Sequence, residues 1–438
     1  MRDILVVGIV LVGSIYALRQ PWLGVMLWTW ISLMNPHNLT YGFALSFPVA
    51  AISAIATIIG LLTTKNRQNP FSESPAILLV LFVAWICICY PFSYNVDGSW
   101  EMLTKVLKID IMVLVTLMIL NTRRHIELFI WVVVASLGFY GLKGGLFTIA
   151  NGGNFRVWGP GGFIGGNNEI ALALIMIIPL MRYLQLQAKN KLIQHGFSLA
   201  MLLTAAASLG SHSRGALLAI AAMAFYLWLK SPKKLMFGIG IVVAGISLIV
   251  FMPEQWSDRM NTIQTYDQDS SARGRINAWW VAFNVAKERL TGAGFDMYNF
   301  DIFARFAPDP FDVHAAHSIY FQVLGEHGFI GLFLFLLIWI STWRTATWLI
   351  KSGTSTPELV WCRDLGGMCQ VALVGYLVGG AFLSLAYFDL PYNILAITVI
   401  TKHWILKNRF DESIESNRNK SEPFNTKFSA TRKPFAAR

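Results

Sequence analysis

"FIGLFLFLLIWI", residues 329–340, runs for twelve residues without a charged side chain, and "ILLVLFVAWICIC", residues 77–89, does the same for thirteen. Neither alternates with period two, and each is longer than an ordinary buried strand, so each reads as a helix. Runs of this kind recur along the whole chain. Of 438 residues, 55% are hydrophobic and 13% charged, with a mean hydropathy of +0.53. A soluble domain carries roughly twice that charged share. The expectation is an all-α polytopic membrane protein.

Apolar segments fall at about 4–17, 21–34, 43–64, 75–93, 105–121, 126–149, 168–186, 192–211, 214–229, 234–251, 327–350, 366–386 and 390–406. The first two are short and form either a tight hairpin or one broken crossing, so the sequence predicts about 12 (12–13) transmembrane helices. Ile4–Ala17 lacks a small-residue cleavage site and reads as a retained helix rather than a signal peptide. The expected organisation is an N-terminal bundle over 1–251, a large loop over 252–326, C-terminal helices over 327–406 and a basic disordered tail over 407–438. No sequence repeat and no matched pair of interrupted helices stands out, which disfavours a transporter.

The net charge of +11 is informative through its placement. Lys65/Arg67, Arg123/Arg124, Lys189/Lys191, Lys230/Lys233/Lys234, Arg344/Lys351/Arg363 and the tail after Lys407 alternate onto one side, which the positive-inside rule makes cytoplasmic. This accounts for the basicity without a nucleic-acid partner. Over residues 252–316, nine acids stand against six bases. That long acidic loop would face the periplasm of a bacterium from the inner (cytoplasmic) membrane, and most other connections are too short to build a site. The four cysteines, Cys87, Cys89, Cys362 and Cys369, have neither zinc-finger spacing nor a disulfide framework and read as packing.

Polar residues at the outer side then need explaining. Arg214, in "SLGSHSRGALLAIAAM" (208–223), sits where two apolar segments join. It either snorkels to headgroups or holds an anion together with Ser211, Ser213 and a helix N-terminus. "SSARGRINAWWVAFNVAKERLTGAGF" (270–295) repeats apolar residues at helical spacing, with Ile276, Trp280 and Phe283 on an amphipathic face suited to a membrane surface. Arg273 and Arg275 stand at its start. Two helical positions are about 200° apart, so both reach one ligand only if Arg273 precedes the helix. "NGGNFRVWGPGGFIGGNNE" (151–169) places Arg156 in a Gly-rich loop that enters a helix through Asn167, Asn168 and Glu169. Such backbone can cradle phosphate, and Asn167 or Asn168 reads most simply as an N-cap. In "FDVHAAHSIYFQVLGEHGFIG" (311–331), His314 and His317 are three apart. They supply two ligands where a metal needs three or four, so no metal is expected; capping or general-base roles remain. Arginines with a histidine at a membrane edge suit a lipid carrying an anionic headgroup.

These stretches also resemble a known family. "HSIYFQVLGEHGFIGLFLF" is similar to the signature of the bacterial O-antigen ligase/polymerase superfamily, in which a His opens the helix after the large periplasmic loop. "GRINAWWVAFNVAKERLTGAGF", with Arg275, Trp279, Gly292 and Gly294, and "SRGA" at 213–216 resemble two further elements. "FRVWGPGGFIGGNNEIALALIMIIPLM" and the start "MRDILV…LMNPHNLTYGFA" look most like the O-glycosylation ligases associated with exosortase A systems. The resemblance implies a GT-C-like fold and a metal-independent inverting glycosyltransferase needing no cofactor. It would move a glycan from undecaprenyl pyrophosphate to an acceptor hydroxyl on a lipid-linked sugar or a protein Ser/Thr. His317 would activate the acceptor, and Arg214 and Arg275 would bind pyrophosphate. Arg273, by proximity alone, and Arg156 join them as pyrophosphate-binding residues, and His314, Asn167, Asn168 and Glu169 are helpers. Ser318 stands where the family often has Asn. The alternatives are a polymerase joining lipid-linked repeats and a lipid or polysaccharide transporter; the latter would need ionisable residues at mid-span, which the sequence mostly lacks.

Overall fold

A computed structural model of the chain describes residues 1–231, 233–254, 256 and 270–421. Every regular element among these is helical. Helices α1 (Arg2–Arg19), α2 (Pro21–Met34) and α3 (Val49–Thr63) pack on one another. There follow α4 (Ser74–Cys89), α5 (Val96–Ile119), α6 (Arg123–Ala150), α7 (Asn167–Gln187), α8 (Lys191–Leu209), α9 (Arg214–Lys230) and α10 (Lys234–Phe251). The loop region supplies α11 (Ser270–Glu288) and the short α12 (Phe300–Phe306), and the chain ends in α13 (Ile319–Ser355), α14 (Val360–Gly379) and α15 (Asp389–Ser421). α7 is the hub: Ile170 through Ile177 are all fully buried, with α6, α8, α9 and α14 around it. A helix apolar on every side must be enclosed on every side.

Side-chain caps start several of these helices. Thr122 accepts from His125 N–H, Asn190 from Leu192 N–H and Ser213 from Ala216 N–H. Each such cap is worth about 1 kcal/mol.

Six segments among the described residues are long and apolar enough to cross a membrane: Ser74–Phe92, Arg123–Ala150, Asn167–Gln187, Lys191–Leu209, Ile319–Ser355 and Pro357–Phe382. The twelve or thirteen expected are not reached, for physical reasons. α2 has 14 residues and is only about 21 Å long, against a hydrocarbon core of about 30 Å. α3 and α9 are short as well, and α5 carries Lys105, Lys108 and Asp110 along its length. The tail also differs. Residues 407–421 continue α15 as helix, since no Gly or Pro interrupts the chain before Pro423. Residues 422–438 of the expected tail lie outside the described residues, as do Asp258, Arg259, Asp267 and Asp269 of the acidic loop.

The boundary expected between 326 and 327 falls inside α13, which begins at Ile319 and is interrupted at Gly328 (φ 69°, ψ −172°). Only glycine adopts this backbone without strain, and a Cβ there would stand 2.2 Å from the Leu290 carbonyl oxygen. The break frees carbonyls that need donors. The turn after α11 supplies them: Ala293 N–H donates to Gly325 O at 2.8 Å and Gly294 N–H to Glu326 O at 3.1 Å.

α11 is amphipathic. Its buried stripe is Ala278, Val281, Ala282 and Val285, packed on Ile302, Phe303 and Phe306 of α12. Ile276, Trp280 and Phe283 are exposed. Small residues allow close approach on the core side, and the bulky stripe is left facing out.

Candidate functional site

The connections near the α7 start, the α9 start and the Ser270–Ile319 region meet at one end of the bundle. Val157 N–H donates to Gly210 O at 3.1 Å, and His212 Nε2 pairs with Gly153 O at 2.8 Å. Asn167 Nδ2 donates to Ser211 O at 2.7 Å. The Gly-rich loop, the α7 start and the turn before α9 are therefore one assembly. Asn167 is thus a cross-link and not the expected cap; the N-cap residue of α7 is Gly166, with no side-chain hydrogen bond, and Asn168 sits half-buried one residue on. Glu169, at the third helical position, folds back so far that a Cβ on Gly166 would stand 2.0 Å from its Oε2. Such a return toward the helix start is the geometry of a capping box, with the acid favoured by the helix dipole.

Arg214 is the first residue of α9, half-buried beside Ser211, His212 and Ser213, which are all buried. Arg156 is exposed on the Gly-rich loop, one residue from the Val157 anchor.

From the other side, α11 holds the strand-like segment before α13. Asn277 Nδ2 donates to Asp309 O at 2.7 Å and Asp312 O at 3.0 Å, and its Oδ1 accepts from Asp309 N–H at 3.0 Å. Trp279 Nε1 donates to Ala316 O at 2.7 Å while its ring stacks on Phe321 at 4.9 Å and 7°. Held this way, residues 312–318 are not helical, so His314 and His317 do not share a helix face as three-residue spacing would allow.

His317 lies just before α13 in the left-handed region, φ 43°. Its Nδ1 is buried and has no hydrogen-bond partner among the described residues. Burial, then the Arg275 guanidinium and then His314, pulls the imidazole down from 6.5 to about 4, so it is neutral at pH 7. The charge of Arg275 also acts on Glu169. Arg275 thus stands in electrostatic reach of both, joining the α7 start to the α13 start. His314 is exposed; its Nδ1 is 2.7 Å from Asp312 Oδ1, and its ring lies against Gly274, where a Cβ would meet Nδ1 at 2.6 Å.

Arg273 is inside α11, which begins at Ser270, and therefore points away from Arg275. It is exposed and lines a groove of about 640 Å³ with Asn277, Asp309 and Asp312. The expected pairing of Arg273 with Arg275 on one ligand does not occur. Among the described residues no group of three His, Cys, Asp or Glu is placed to hold a metal ion.

Residues 199–336 match the O-antigen ligase family model. This stretch is similar to O-antigen ligases. Residues 1–189 match a family of unknown function, DUF5935. No curated protein matches the chain. Arg214, Arg275 and His317 all fall within residues 199–336, whereas Arg156, Asn167, Asn168 and Glu169 fall within residues 1–189. Both matched regions therefore contribute residues to this end of the bundle.

Buried carboxyls are what the sequence reading missed. Glu326, 2% exposed in α13, accepts from Tyr387 OH at 2.5 Å and has Gln322 Nε2 at 3.4 Å. Asp110 and Asp389 are buried as well. None of these three was singled out among the polar residues of the sequence. "GEHG" and "KVLKID" already contained polar residues inside apolar segments, which was the available signal.

Proposed function

We propose that the protein is a glycosyltransferase of the O-antigen ligase type, working at the periplasmic face of a bacterial inner membrane and without a metal. It transfers a glycan from undecaprenyl pyrophosphate to an acceptor hydroxyl. The observation that supports this reading is that the charge of Arg275 acts on both Glu169 and His317, which come from different parts of the chain. Arg275 and Arg214 bind the pyrophosphate bidentately and stabilise it as the leaving group. His317 accepts the acceptor's proton as its oxygen attacks the anomeric carbon from the face opposite the pyrophosphate, which departs with the bonding electrons. An imidazole near 4 is a weak base. An arriving pyrophosphate cancels the Arg275 charge and raises the basicity of His317, so the base strengthens when the donor is bound. The exposed Ile276, Trp280 and Phe283 stripe rests in the membrane surface beside the isoprenoid chain.

The test is transfer in membranes from cells lacking the native gene, complemented with variants. His317→Ala and Arg214→Ala should each abolish transfer while insertion into the membrane is unchanged. Full activity should survive excess chelator. Near-wild-type transfer by His317→Ala removes the base assignment.

A further inference from the structure

A separate opening of about 590 Å³ lies where α4, α13 and α15 meet, with Arg344, Lys351 and Lys402 in its lining. Arg344 and Lys351 stand roughly 24 and 35 Å along α13 from the break at Gly328, at about 1.5 Å per residue. The hydrocarbon core of a bilayer is about 30 Å thick. These residues therefore reach the membrane boundary opposite the one at which His317 stands.

The lining changes character along the helix. Leu337, Ser341, Arg344, Trp348 and Lys351 recur at steps of four and three residues and so share one face of α13. Leading away from the break, that face passes from apolar to hydroxyl to cationic, with Trp348 between the two cations. Ile340, beside Leu337 in the lining, is 54% exposed and would lie against acyl chains in a bilayer. A tryptophan at the level of the cations suits the headgroup layer.

The charges do not cancel. Arg344 and Lys351 are exposed, and among the described residues neither forms an ion pair. Lys402, from α15, is turned inward: its side chain is 20% exposed, and its ammonium lies 2.6 Å from Glu73 Oε2 and 5.2 Å from the centre of the Trp348 ring. That pair neutralises the one carboxylate of the lining and leaves two positive charges facing the opening. Basic residues at such a boundary commonly do no more than orient the chain. Here cations from two helices converge on one cavity whose inner end is apolar, and its volume lies in the range of about 300–1,000 Å³ usual for ligand pockets. A soluble phosphate would match the charges and have no use for Leu337 and Ile340. A neutral lipid would have no use for the charges.

We propose that this opening binds an anionic phospholipid of the leaflet opposite the His317 side. Its phosphodiester sits between Arg344 and Lys351, which are about 10 Å apart along the helix axis and close over it with their long side chains, the arginine fork supplying paired donors. An acyl chain runs along Leu78, Leu337 and Ile340. Occupancy ties α13 to α4 and α15, so bound lipid stabilises the fold. The proposal does not depend on the transferase reading, because none of these residues belongs to that site.

The experiment uses the full chain in a neutral detergent, with thermal unfolding followed against added phosphatidylglycerol, phosphatidylcholine of the same acyl chains and, separately, glycerol 3-phosphate. Phosphatidylglycerol should raise the Tm of the wild type, and phosphatidylcholine at the same mole fraction should not. In the double variant Arg344→Gln/Lys351→Gln the apparent affinity for phosphatidylglycerol should fall about tenfold or more. Both side chains are exposed, so its Tm in lipid-free detergent should equal that of the wild type. Lys65→Gln/Arg67→Gln removes the same charge from exposed positions between α3 and α4, outside the opening, and should keep the wild-type response. No shift with phosphatidylglycerol, equal shifts with both lipids, or an equal loss in the Lys65/Arg67 variant overturns the proposal. A shift with glycerol 3-phosphate as large as that with phosphatidylglycerol assigns the opening to a soluble phosphate and overturns the lipid assignment.

Discussion

Replacing His317 by glycine separates what the residue does from what it costs. Its φ of 43° places a non-glycine residue in the left-handed region, at a cost of about 1–2 kcal/mol, toward the low end for a histidine. His317→Ala removes the ring and keeps that strain; His317→Gly removes both. Glycine's greater freedom in the unfolded chain returns about 0.4–1 kcal/mol. The glycine variant should therefore be the more stable of the two by roughly 0.5–1 kcal/mol, about 1–2 °C in Tm extrapolating the size scaling to this length, with neither transferring glycan. A second term depends on pH. The imidazole titrates near 4 in the fold against an ordinary 6.5, so the unfolded chain takes up a proton first as pH falls. Wild type alone loses stability for this reason from about pH 6.5 down to about pH 4, below which the loss is constant. At pH 5 linkage gives about 2 kcal/mol as a ceiling, and about 1 kcal/mol once solvent screening of the partly exposed ring is allowed for. The assay is thermal unfolding in detergent at pH 7 and pH 5 for wild type and both variants. A glycine variant no more stable than the alanine variant at pH 7 would refute the strain argument. A gap between wild type and His317→Ala that is the same at both pH values would refute the burial argument.

Two further substitutions probe the surroundings of that histidine. Trp279→Phe keeps the stacking on Phe321 and deletes the donor to Ala316 O, leaving a carbonyl without its partner at about 1–3 kcal/mol; the 312–318 segment should loosen and transfer fall about tenfold or more, with pyrophosphate binding by thermal shift little changed. Glu169→Gln removes the carboxylate that faces Arg275, so pyrophosphate should bind several-fold more tightly in the same assay, and weaker binding would mean that Glu169 positions the arginine and does not compete with the anion.

The sequence made the helical membrane character plain because apolar runs need no tertiary context to be recognised. It counted more crossings than the six described segments long enough for one, because length is set by local stops: α2 ends at Asn35 in a left-handed cap after 14 residues. Arg214, Arg275 and His317 were singled out from local motifs, and the elements that carry them lie at one end of the bundle. The partner of Arg275 was less visible, since Glu169 lies over a hundred positions away and only the Asn167–Ser211 cross-link shows how α7 reaches the site. Arg273 shows the opposite failure. It lies two residues from Arg275 and is turned away by two helical steps. Which face of α11 would be buried was hidden too, because apolar residues surround most of that helix and only packing against α12 selects the small ones.

The end of the bundle that holds the site is built at the expense of stability. Asp110, Glu326 and Asp389 are each at most 5% exposed, His317 is strained, and the break at Gly328 gives up continuous helix in the longest element. Most of these have a local compensation. Tyr387 and Gln322 solvate Glu326, Ser32 solvates Asp389, and the 292–294 turn satisfies the broken helix. Away from that end a further buried carboxyl, Glu73 at 7% exposure, is compensated by Lys402 at 2.6 Å. Hydrophobic packing alone would favour none of the costly groups, and apolar residues of similar size would fit with less penalty. Their concentration at the end that also carries Arg214, Arg275 and His317 is what a binding and reacting surface requires, and it is the physical reason to place the chemistry there.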